Sequence, residues 1–364
     1  MINMEKIMKA KNLLILICLV IIAGINENNI SADNQYMDAV LKLRSENKQM
    51  VEALKIELKN IQNEIRQKNY KFKVGITEAF KCKISEINGF QKLKREPAPQ
   101  QNAEQKRIFE DEMTKRSMDK KPAVIPEKLP DEKSIPAPPV VVPKKEEECE
   151  CNEKLANWDW RDKGAVTDVQ FQGVCGCCWA FAAVSALESS AVINYKERLD
   201  FSEQYFVNCI QYGCNGGNSL NVFEYLKSHS IPLESQLPYA GSEQKCQDVR
   251  GSSYYAIATG YVGEYEDYES PGVAKIKKAI CKYGPVVVSM RSTRAFHAYK
   301  GGIYDEIAPG ETNHAILIVG WDNSRNSYIV KNSWGKDWGE NGYVWMDYKT
   351  NTGKYARWVL VKKK

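Results

Sequence analysis

The chain has 364 residues, 43% of them hydrophobic and 27% charged, and its formal net charge is +5. This length allows two domains or one domain with appendages, and the composition is ordinary for a globular protein. So small a net charge gives no reason to expect nucleic-acid binding, and the terminal run Lys362–Lys364 is interpreted as a solvated tail.

The first 24 residues have the pattern of a signal peptide. Lys6, Lys9 and Lys11 precede an uninterrupted apolar run of eleven residues, Leu13–Ala23. Such a run is shorter than the roughly 18 to 20 residues that span a bilayer as a helix. We therefore expect cleavage between residues 23 and 32, entry into the secretory pathway and no stable membrane anchor, with an uncleaved signal anchor as the alternative. The secretory pathway permits disulfides.

Two dissimilar stretches follow the signal. Within residues 36–69, apolar residues recur at alternating steps of three and four, which predicts an amphipathic helix, namely at Val51, Leu54, Leu58, Ile61 and Ile65. A coiled-coil or packing helix is the alternative interpretation of this pattern. Residues 97–143 contain nine of the fourteen prolines, and Lys144–Glu148 adds charge. That composition predicts an extended, flexible linker over 97–150, where proteases cut readily.

A candidate nucleophile lies in the segment Gln172–Phe181. The residues from Trp179 to Ile193 are mostly apolar or small and include no Pro or Gly, which predicts a helix buried on nearly every face. Cys178 would lie in its first turn, where the unpaired backbone N–H groups favour a thiolate. A buried cysteine alone is more often an inert core residue, so a catalytic role needs a partner.

The chain has only three histidines to serve as a base. His314 enters an apolar run that predicts a buried strand, and eighteen residues later a second predicted strand ends at Asn332, close to Trp334. Neighbouring strands would place the imidazole beside the amide, whose oxygen fixes the ring tautomer while the indole excludes water. The spacing is right for a Cys-His-Asn site. His229 and His297 lie in no motif and are interpreted as surface or structural residues.

These segments resemble papain-like cysteine peptidases of the cathepsin L type. The match covers roughly residues 155–348 and includes, in chain order, Asp159–Thr167, Gln172–Phe181, Phe201–Gln204, Gly213–Gly217, Tyr299–Tyr304, Asn313–Ala315, Lys331–Gly335 and Trp338–Tyr343. The resemblance implies an α+β fold over residues 151–364. One lobe would be helical around the Cys178 helix, and a β-barrel-like lobe would carry His314 and Asn332, with the active site in the cleft between them.

The resemblance also implies a cysteine endopeptidase without cofactor or metal. Cys178 and His314 would form a thiolate–imidazolium pair oriented by Asn332, and hydrolysis would pass through an acyl-enzyme thioester. Gln172 and the Cys178 backbone N–H would stabilise the oxyanion. The substrate-binding positions implied are Gly216, Gly217, Asn218, Ser219, Ser289, Ala315 and Trp334. Because this pocket lining is more polar than usual in the family, we expect a broadened side-chain preference; its floor residue is not identified.

By the same resemblance, residues 33–96 are a helical propeptide that inhibits a zymogen, and activation occurs within the 97–150 linker. The propeptide departs from the family pattern, because the usual Glu, Arg and Phe positions are not recognisable. The expected partners are protein and peptide substrates, the propeptide itself and cystatin-like inhibitors. The enzyme is expected to be a monomer that acts outside the cell or in a lysosome or digestive vacuole.

The eleven cysteines are divided in part by the resemblance, which pairs Cys175 with Cys214 and Cys209 with Cys246. The pairing of the others stays open, namely of Cys82, Cys149, Cys151, Cys177 and Cys281. The Cys149-Glu-Cys151 segment is a candidate to tether the start of the catalytic block, with Cys281 the only free partner there.

Two rival interpretations remain. The dense cysteines between residues 149 and 178 could form a zinc site, although their spacing is not that of a zinc ribbon. The chain could also be an inactive papain-like domain that only binds. Labelling by an active-site thiol alkylator would distinguish both rivals from the enzyme.

Overall fold

The structure, a computed structural model, describes residues 33–91, 150–247, 249, 252–263, 270–350 and 352–363. The predicted signal peptide and all but the last residue of the predicted linker lie outside these ranges. The chain divides into two compact units, residues 1–63 and 64–364.

The described residues form the following elements. The helices are α1 (Asp33–Gln67), α2 (Glu78–Lys81), α3 (Ile84–Ile87), α4 (Cys178–Tyr195), α5 (Glu203–Cys209), α6 (Ser219–Tyr225), α7 (Val273–Tyr283) and α8 (Arg294–His297). The strands are β1 (Phe72–Val74), β2 (Asn157–Asp159), β3 (Tyr254–Tyr261), β4 (Val286–Met290), β5 (Tyr299–Tyr304), β6 (His314–Asp322), β7 (Ser327–Lys331), β8 (Tyr343–Asp347) and β9 (Lys354–Lys363).

In the first unit the described residues belong to helix α1, which continues to Gln67. It covers most of the amphipathic helix predicted at 36–69, so that prediction is confirmed. Its side chains Met50, Val51 and Ile56 are exposed. Within the described ranges, no helix combines the length and the apolar character needed to cross a membrane.

Helix α4 is the centre of the helical lobe. It is buried on almost every face, as its apolar and small residues predict. It begins directly after Cys177, whose φ of −107° and ψ of 24° are not helical, and it ends at Tyr195, because the next residue, Lys196, has a left-handed backbone conformation. Helices α5 and α6 pack against it and start at side-chain caps, because Ser202 accepts from the Tyr205 N–H and Asn218 from the Leu220 N–H.

Among the described residues, three disulfides stabilise the second unit. Cys175–Cys214 and Cys209–Cys246 are the pairs that the family resemblance implies. The third, Cys151–Cys281, joins the start of the catalytic block to α7. This is the tether for which the sequence offered Cys149 or Cys151. Among the described residues, Cys82, Cys177 and Cys178 are free thiols.

Nine described strands form one sheet in the order β1-β5-β8-β7-β6-β4-β9-β3, with β2 paired to β6. The antiparallel register places Met290 opposite His314 and Leu317 opposite Lys331. His314 therefore opens β6 and Asn332 directly follows β7, at the same end of two neighbouring strands. Both predicted strands are confirmed, and the sheet together with the helical lobe makes the architecture α+β.

Residues 64–91 belong to the same unit as the catalytic block. Strand β1 pairs antiparallel with β5, with Phe72 opposite Gly302. Helices α2 and α3 follow, and Phe90 then forms a parallel bridge with Gly217. We call residues 64–91 the covering segment, because they lie along residues predicted to bind substrate.

Candidate active site

Cys178 is the first residue of α4, and its side chain is fully buried. The Ala315 backbone N lies 3.4 Å from its Sγ atom and donates to it. Burial raises the pKa of the Cys178 thiol to about 11, although the backbone N–H groups of Ala315 and Gly89 oppose that rise. With the covering segment in place, the cysteine is therefore a thiol at neutral pH.

His314 and Asn332 form the pair that the two predicted strands imply. The His314 Nε2 atom lies 2.8 Å from the Asn332 Oδ1 atom. Because that oxygen only accepts, Nε2 carries the proton, and Nδ1 has no hydrogen-bond partner among the described residues. The Trp334 ring stacks on the imidazole with centroids 4.5 Å apart, and it is 2% exposed. Burial lowers the pKa of His314 to about 4, which leaves the ring neutral.

Gln172 points its side-chain amide toward the same site. Its Nε2 donates to the backbone oxygen of Ile87 at 2.9 Å and to that of Cys175 at 2.7 Å. Its Oε1 accepts from the Ser333 hydroxyl at 2.6 Å. Tyr239 donates its hydroxyl to the Gln172 backbone oxygen at 2.7 Å. Sequence reasoning missed both hydroxyl residues, and the only signal for Ser333 is its position next to Asn332.

The covering segment crosses the site through its backbone. Gly217 donates its N–H to the Gly89 oxygen at 2.6 Å and accepts from the Gln91 N–H at 2.8 Å. The Phe90 N–H donates to the Asn313 oxygen at 3.0 Å. Gly216, with a φ of 108°, leaves room beside Gln91 that a Cβ atom would fill. These contacts are made at the positions predicted to bind an extended substrate.

The two serines of the predicted side-chain pocket do not present free hydroxyls. Ser219 donates its hydroxyl to the Trp179 oxygen at 2.9 Å, and Ser289 donates to Thr312 and to the Lys354 oxygen. Ala315 is buried, and Asn218 donates its Nδ2 to the Gln91 oxygen at 2.9 Å.

Tyr355 lies beside Phe90, and the sequence did not single it out as a pocket residue. Its ring lies 5.2 Å from the Phe90 ring, centroid to centroid, and it is 6% exposed. The pairing of Ser289 with Lys354 brings the start of β9 to this place. Sequence reasoning missed Tyr355 because the chain departs from the family pattern after Tyr348.

Two buried ionisable side chains, Lys331 and Glu188, are linked through the Thr167 hydroxyl next to the site. Lys331, next to Asn332, donates its Nζ to the hydroxyls of Thr167 at 3.2 Å and Ser185 at 3.1 Å. Glu188 accepts from Thr167 and from the Phe201 N–H. Burial raises the pKa of Glu188 and lowers that of Lys331, and the attraction between the two opposes both shifts. The pair links α4 to the strand that positions Asn332.

The two remaining histidines differ. His229 is exposed and stacks on Tyr225 with ring centroids 3.9 Å apart, as expected of a surface residue. His297 is not at the surface, because its side chain is fully buried and its ring lies 4.8 Å from the Trp334 ring.

The cysteines of the rival zinc site are mostly engaged elsewhere. Cys151 and Cys175 are in disulfides, so they have no thiolate to offer a metal. The Cys177 sulfur lies 3.0 Å from the Tyr239 hydroxyl. In the part of the chain that the structure describes, no group of three or more His, Cys, Asp or Glu side chains is placed to hold a metal ion.

Comparison with known proteins identifies the family. Residues 155–360 match the profile of the papain family of cysteine proteases. The chain belongs to this family. The match begins and ends close to the block first recognised by its motifs, and it includes Cys178, His314 and Asn332.

Several papain-family relatives share a third or more of the aligned residues. A cathepsin L-like protein of Caenorhabditis elegans is 39% identical over 197 residues, which is 51% of this chain and 57% of the relative. Cathepsin O of Homo sapiens is 37% identical over 202 residues, or 53% and 61%. Cathepsin S of Bos taurus is 36% identical over 217 residues, or 56% and 63%. The chain thus spans less than two thirds of the length of these relatives.

Solved papain-family structures have the same fold. A cysteine protease of Carica candamarcensis in complex with E-64 is 32% identical with a TM-score of 0.51, and the alignment covers 58% of this chain and 100% of that chain. The bromelain protease of Ananas comosus in complex with the E64 inhibitor is 30% identical with a TM-score of 0.52, covering 57% and 99%. The papain-like, two-lobed α+β fold predicted from the sequence is confirmed.

Proposed function

We propose that the chain is a cysteine endopeptidase made as an inactive precursor. The observation that carries this proposal is one cluster of four groups: the Cys178 thiol at the start of α4, the His314 imidazole, the Asn332 amide bonded to it at 2.8 Å, and the Gln172 side-chain amide. Family membership supports the same activity.

The residues support a two-step hydrolysis. The Cys178 thiolate attacks the scissile carbonyl carbon, and Gln172 Nε2 and the Cys178 backbone N–H stabilise the oxyanion, each contributing roughly 3 to 4 kcal/mol. The His314 imidazolium then protonates the leaving amine, which yields the thioester. Water attacks this thioester, with His314 accepting its proton, and the acid product leaves as the thiolate–imidazolium pair re-forms. Asn332 holds the ring in the required orientation.

The covering segment explains how the precursor stays inactive. It presents the Gly89 N–H to the Cys178 sulfur, and its backbone occupies Gly217, where a substrate strand would bind. The Ile87 oxygen occupies the Gln172 donor. Residues 64–91 therefore act as the inhibitory part of the propeptide, and cleavage within residues 97–150 releases them.

The covered site is also electrically neutral. Burial holds the pKa of Cys178 near 11 and that of His314 near 4, so neither group is charged at neutral pH. Release of the covering segment admits water, which favours the ionised pair. Activation thus creates the thiolate as well as opening the cleft.

The disulfides support a location for the proposed enzyme, and family membership supports its proposed partners. The three disulfides of the described residues fit an oxidising compartment, which supports the secretory pathway and then an extracellular, lysosomal or digestive-vacuole site of action. The partners are protein and peptide substrates, the propeptide and cystatin-like inhibitors, and the enzyme acts as a monomer.

The serines of the predicted pocket and the contact between Phe90 and Tyr355 narrow the substrate class. The hydroxyls of Ser219 and Ser289 are bonded to backbone oxygens, while Tyr355 offers an aromatic face. We therefore propose a preference for bulky apolar side chains two residues before the cut, in place of the broadened preference expected from the sequence. In a peptide library scored by kcat/KM, Phe or Leu should exceed Ser by about tenfold or more. Tyr355→Ala should reduce that ratio, and a flat profile would contradict the proposal.

The activity itself is tested by labelling the processed protein with an E-64-type epoxide and locating the adduct. We expect labelling and peptide hydrolysis to be lost together in Cys178→Ala and both to be retained in Cys177→Ser. If the processed protein bound peptides but was never labelled by the epoxide, it would be the inactive papain-like domain that only binds.

A further inference from the structure

We propose that His297 is the residue through which acid loosens the covering segment, because its two ring nitrogens are both bonded to that segment. This inference rests on the proposed precursor function. It assigns to one buried histidine of the catalytic block the task of sensing pH.

The contacts of His297 cross from the catalytic block to the covering segment. Its Nδ1 atom lies 3.2 Å from the Ala79 backbone oxygen, and its Nε2 atom lies 3.3 Å from Asn88 Nδ2. Its backbone oxygen accepts from the Thr77 hydroxyl at 2.5 Å. The ring itself is fully buried and packs edge-to-face on Trp334, which stacks on His314.

These contacts fit one form of the imidazole. The Ala79 oxygen only accepts, so Nδ1 must carry a proton, and Asn88 Nδ2 only donates, so Nε2 must be bare. A second proton on Nε2 would set a donor against a donor. A rotation of the Asn88 amide would present its Oδ1 atom, which has no other partner among the described residues. The remaining cost is a buried cation.

The charges around the ring add to that cost. Arg294 on the same helix and His314 on β6 both disfavour a charge on His297, and with burial as the largest cause they lower its pKa to about 3. Arg294 is fixed in place because it donates to the Phe80 oxygen at 2.7 Å and the Cys82 oxygen at 2.6 Å. On the covering segment, Glu78 and Lys81 pair with each other at 2.6 Å and are exposed.

Linkage gives the sign of the effect. In the closed state the pKa of His297 is about 3, below the ordinary value of about 6.5 that exposure to water favours. The open state therefore binds a proton that the closed state rejects. Closure keeps its full strength above roughly pH 6.5 and weakens by up to about tenfold per pH unit as the pH falls toward 3.

The test measures how open the uncleaved full-length chain is at each pH. The rate of epoxide labelling of Cys178 in the uncleaved chain, read by intact mass at short times, is divided by the rate for the processed form of the same variant. This ratio removes the pH dependence of the thiol itself. Between pH 7.5 and 5.0 it should rise about 30-fold in the wild type.

Two variants decide whether His297 is responsible. His297→Gln can donate to the Ala79 oxygen and accept from Asn88 but cannot titrate, so its ratio should start as low as the wild type and rise less than about threefold. Asn88→Asp places a carboxylate against Nε2, which favours the protonated ring in the closed state, so it should also flatten the rise. If the uncleaved His297→Gln variant is already reactive at pH 7.5, the role of His297 is decided by whether Asn88→Asp flattens the rise.

A matched control tests whether protonation of a carboxylate causes the rise in the ratio. Asp305 accepts the Lys71 N–H of the covering segment at 2.9 Å. Asp305→Asn should raise the ratio at every pH and keep the wild-type rise. The proposal is overturned if His297→Gln keeps the full rise, or if Asp305→Asn loses it. If the uncleaved wild type is labelled as fast as the processed enzyme at pH 7.5, the precursor function itself fails, whatever His297 does.

Discussion

The catalytic block and the covering segment bind each other through different kinds of atoms. On the catalytic block the site is made of side chains, above all Cys178, His314 and Gln172. On the covering segment the site is met by backbone groups, such as the Ile87 oxygen and the N–H and oxygen of Gly89. Catalysis requires particular residue types in the catalytic block. In the covering segment, a contact made by the backbone can be supplied by most residue types.

This difference explains the contrast between the two sequences. The catalytic block carries dense family motifs, and the covering segment carries almost none. Arg294 of the catalytic block is an example, because it donates to two backbone oxygens of the covering segment. Any residue type at those two positions would supply the same oxygen. Two positions of the covering segment are exceptions. Position 89 has room only for a glycine, and the Asn88 side chain is hydrogen-bonded to His297.

The largest effect is expected from a side chain of the catalytic block. Cys178→Ala should lower kcat/KM of the processed enzyme by at least about 10⁴-fold, because it removes the nucleophile. Thermal unfolding should be little changed, since the substitution removes one buried atom. Cys177→Ser is the matched control and should stay active. If Cys177→Ser lost as much activity as Cys178→Ala, the assignment of the nucleophile to Cys178 would be wrong.

The next effect comes from the covering segment. A Cβ atom at Gly89 would lie 1.6 Å from the Gly176 oxygen, so Gly89→Ala cannot keep the segment in place. We expect a loss of roughly 2 to 3 kcal/mol in closure, which makes the uncleaved chain about 30- to 150-fold more reactive at neutral pH.

Gly75→Ala is the control for that change. Its Cβ atom would lie 3.1 Å from the flexible Lys300 side chain, which can move. It should leave the uncleaved chain closed. Equal reactivity of the two variants would show that the backbone contacts at Gly89 do not carry the inhibition.

A smaller effect is expected where a side chain orients another. Asn332→Ala should lower kcat of the processed enzyme by roughly 10- to 100-fold, part of the 10² to 10⁴ that proton transfer contributes. Nucleophile and base both remain, so activity should not vanish. Steady-state kinetics across the pH range is the measurement. A loss as large as that of His314→Ala would mean that Asn332 does more than orient the ring.

The sequence predicted those parts that depend on residue type and regular spacing. Helix α4, strands β6 and β7 and two disulfides could be inferred, because burial and family motifs leave clear patterns. Ser333 and Tyr239 could not, since they support Gln172 through contacts that join distant parts of the chain. For His297 the sequence left a surface and a structural role open, because its contacts with Ala79 and Asn88 join parts of the chain that are far apart in sequence.

The smallest effect on activity is expected from the tether of the catalytic block. The double variant Cys151→Ser/Cys281→Ser opens a loop with a sequence separation of 130 residues. We expect the free energy of unfolding to fall by about 2 to 4 kcal/mol in urea. Hydrolysis at 25 °C should stay within about twofold, because neither cysteine contacts the site. If the uncleaved form of this variant became reactive, the tether would also hold the covering segment in place. Closure would then depend on more than the contacts between the covering segment and the active site.

The most direct measurement labels the uncleaved and the processed protein with an E-64-type epoxide at neutral pH and maps the adduct by mass. We expect one adduct per processed chain, located on Cys178, and almost none on the uncleaved chain. An adduct on Cys177, or equal labelling of the two forms, would contradict this expectation.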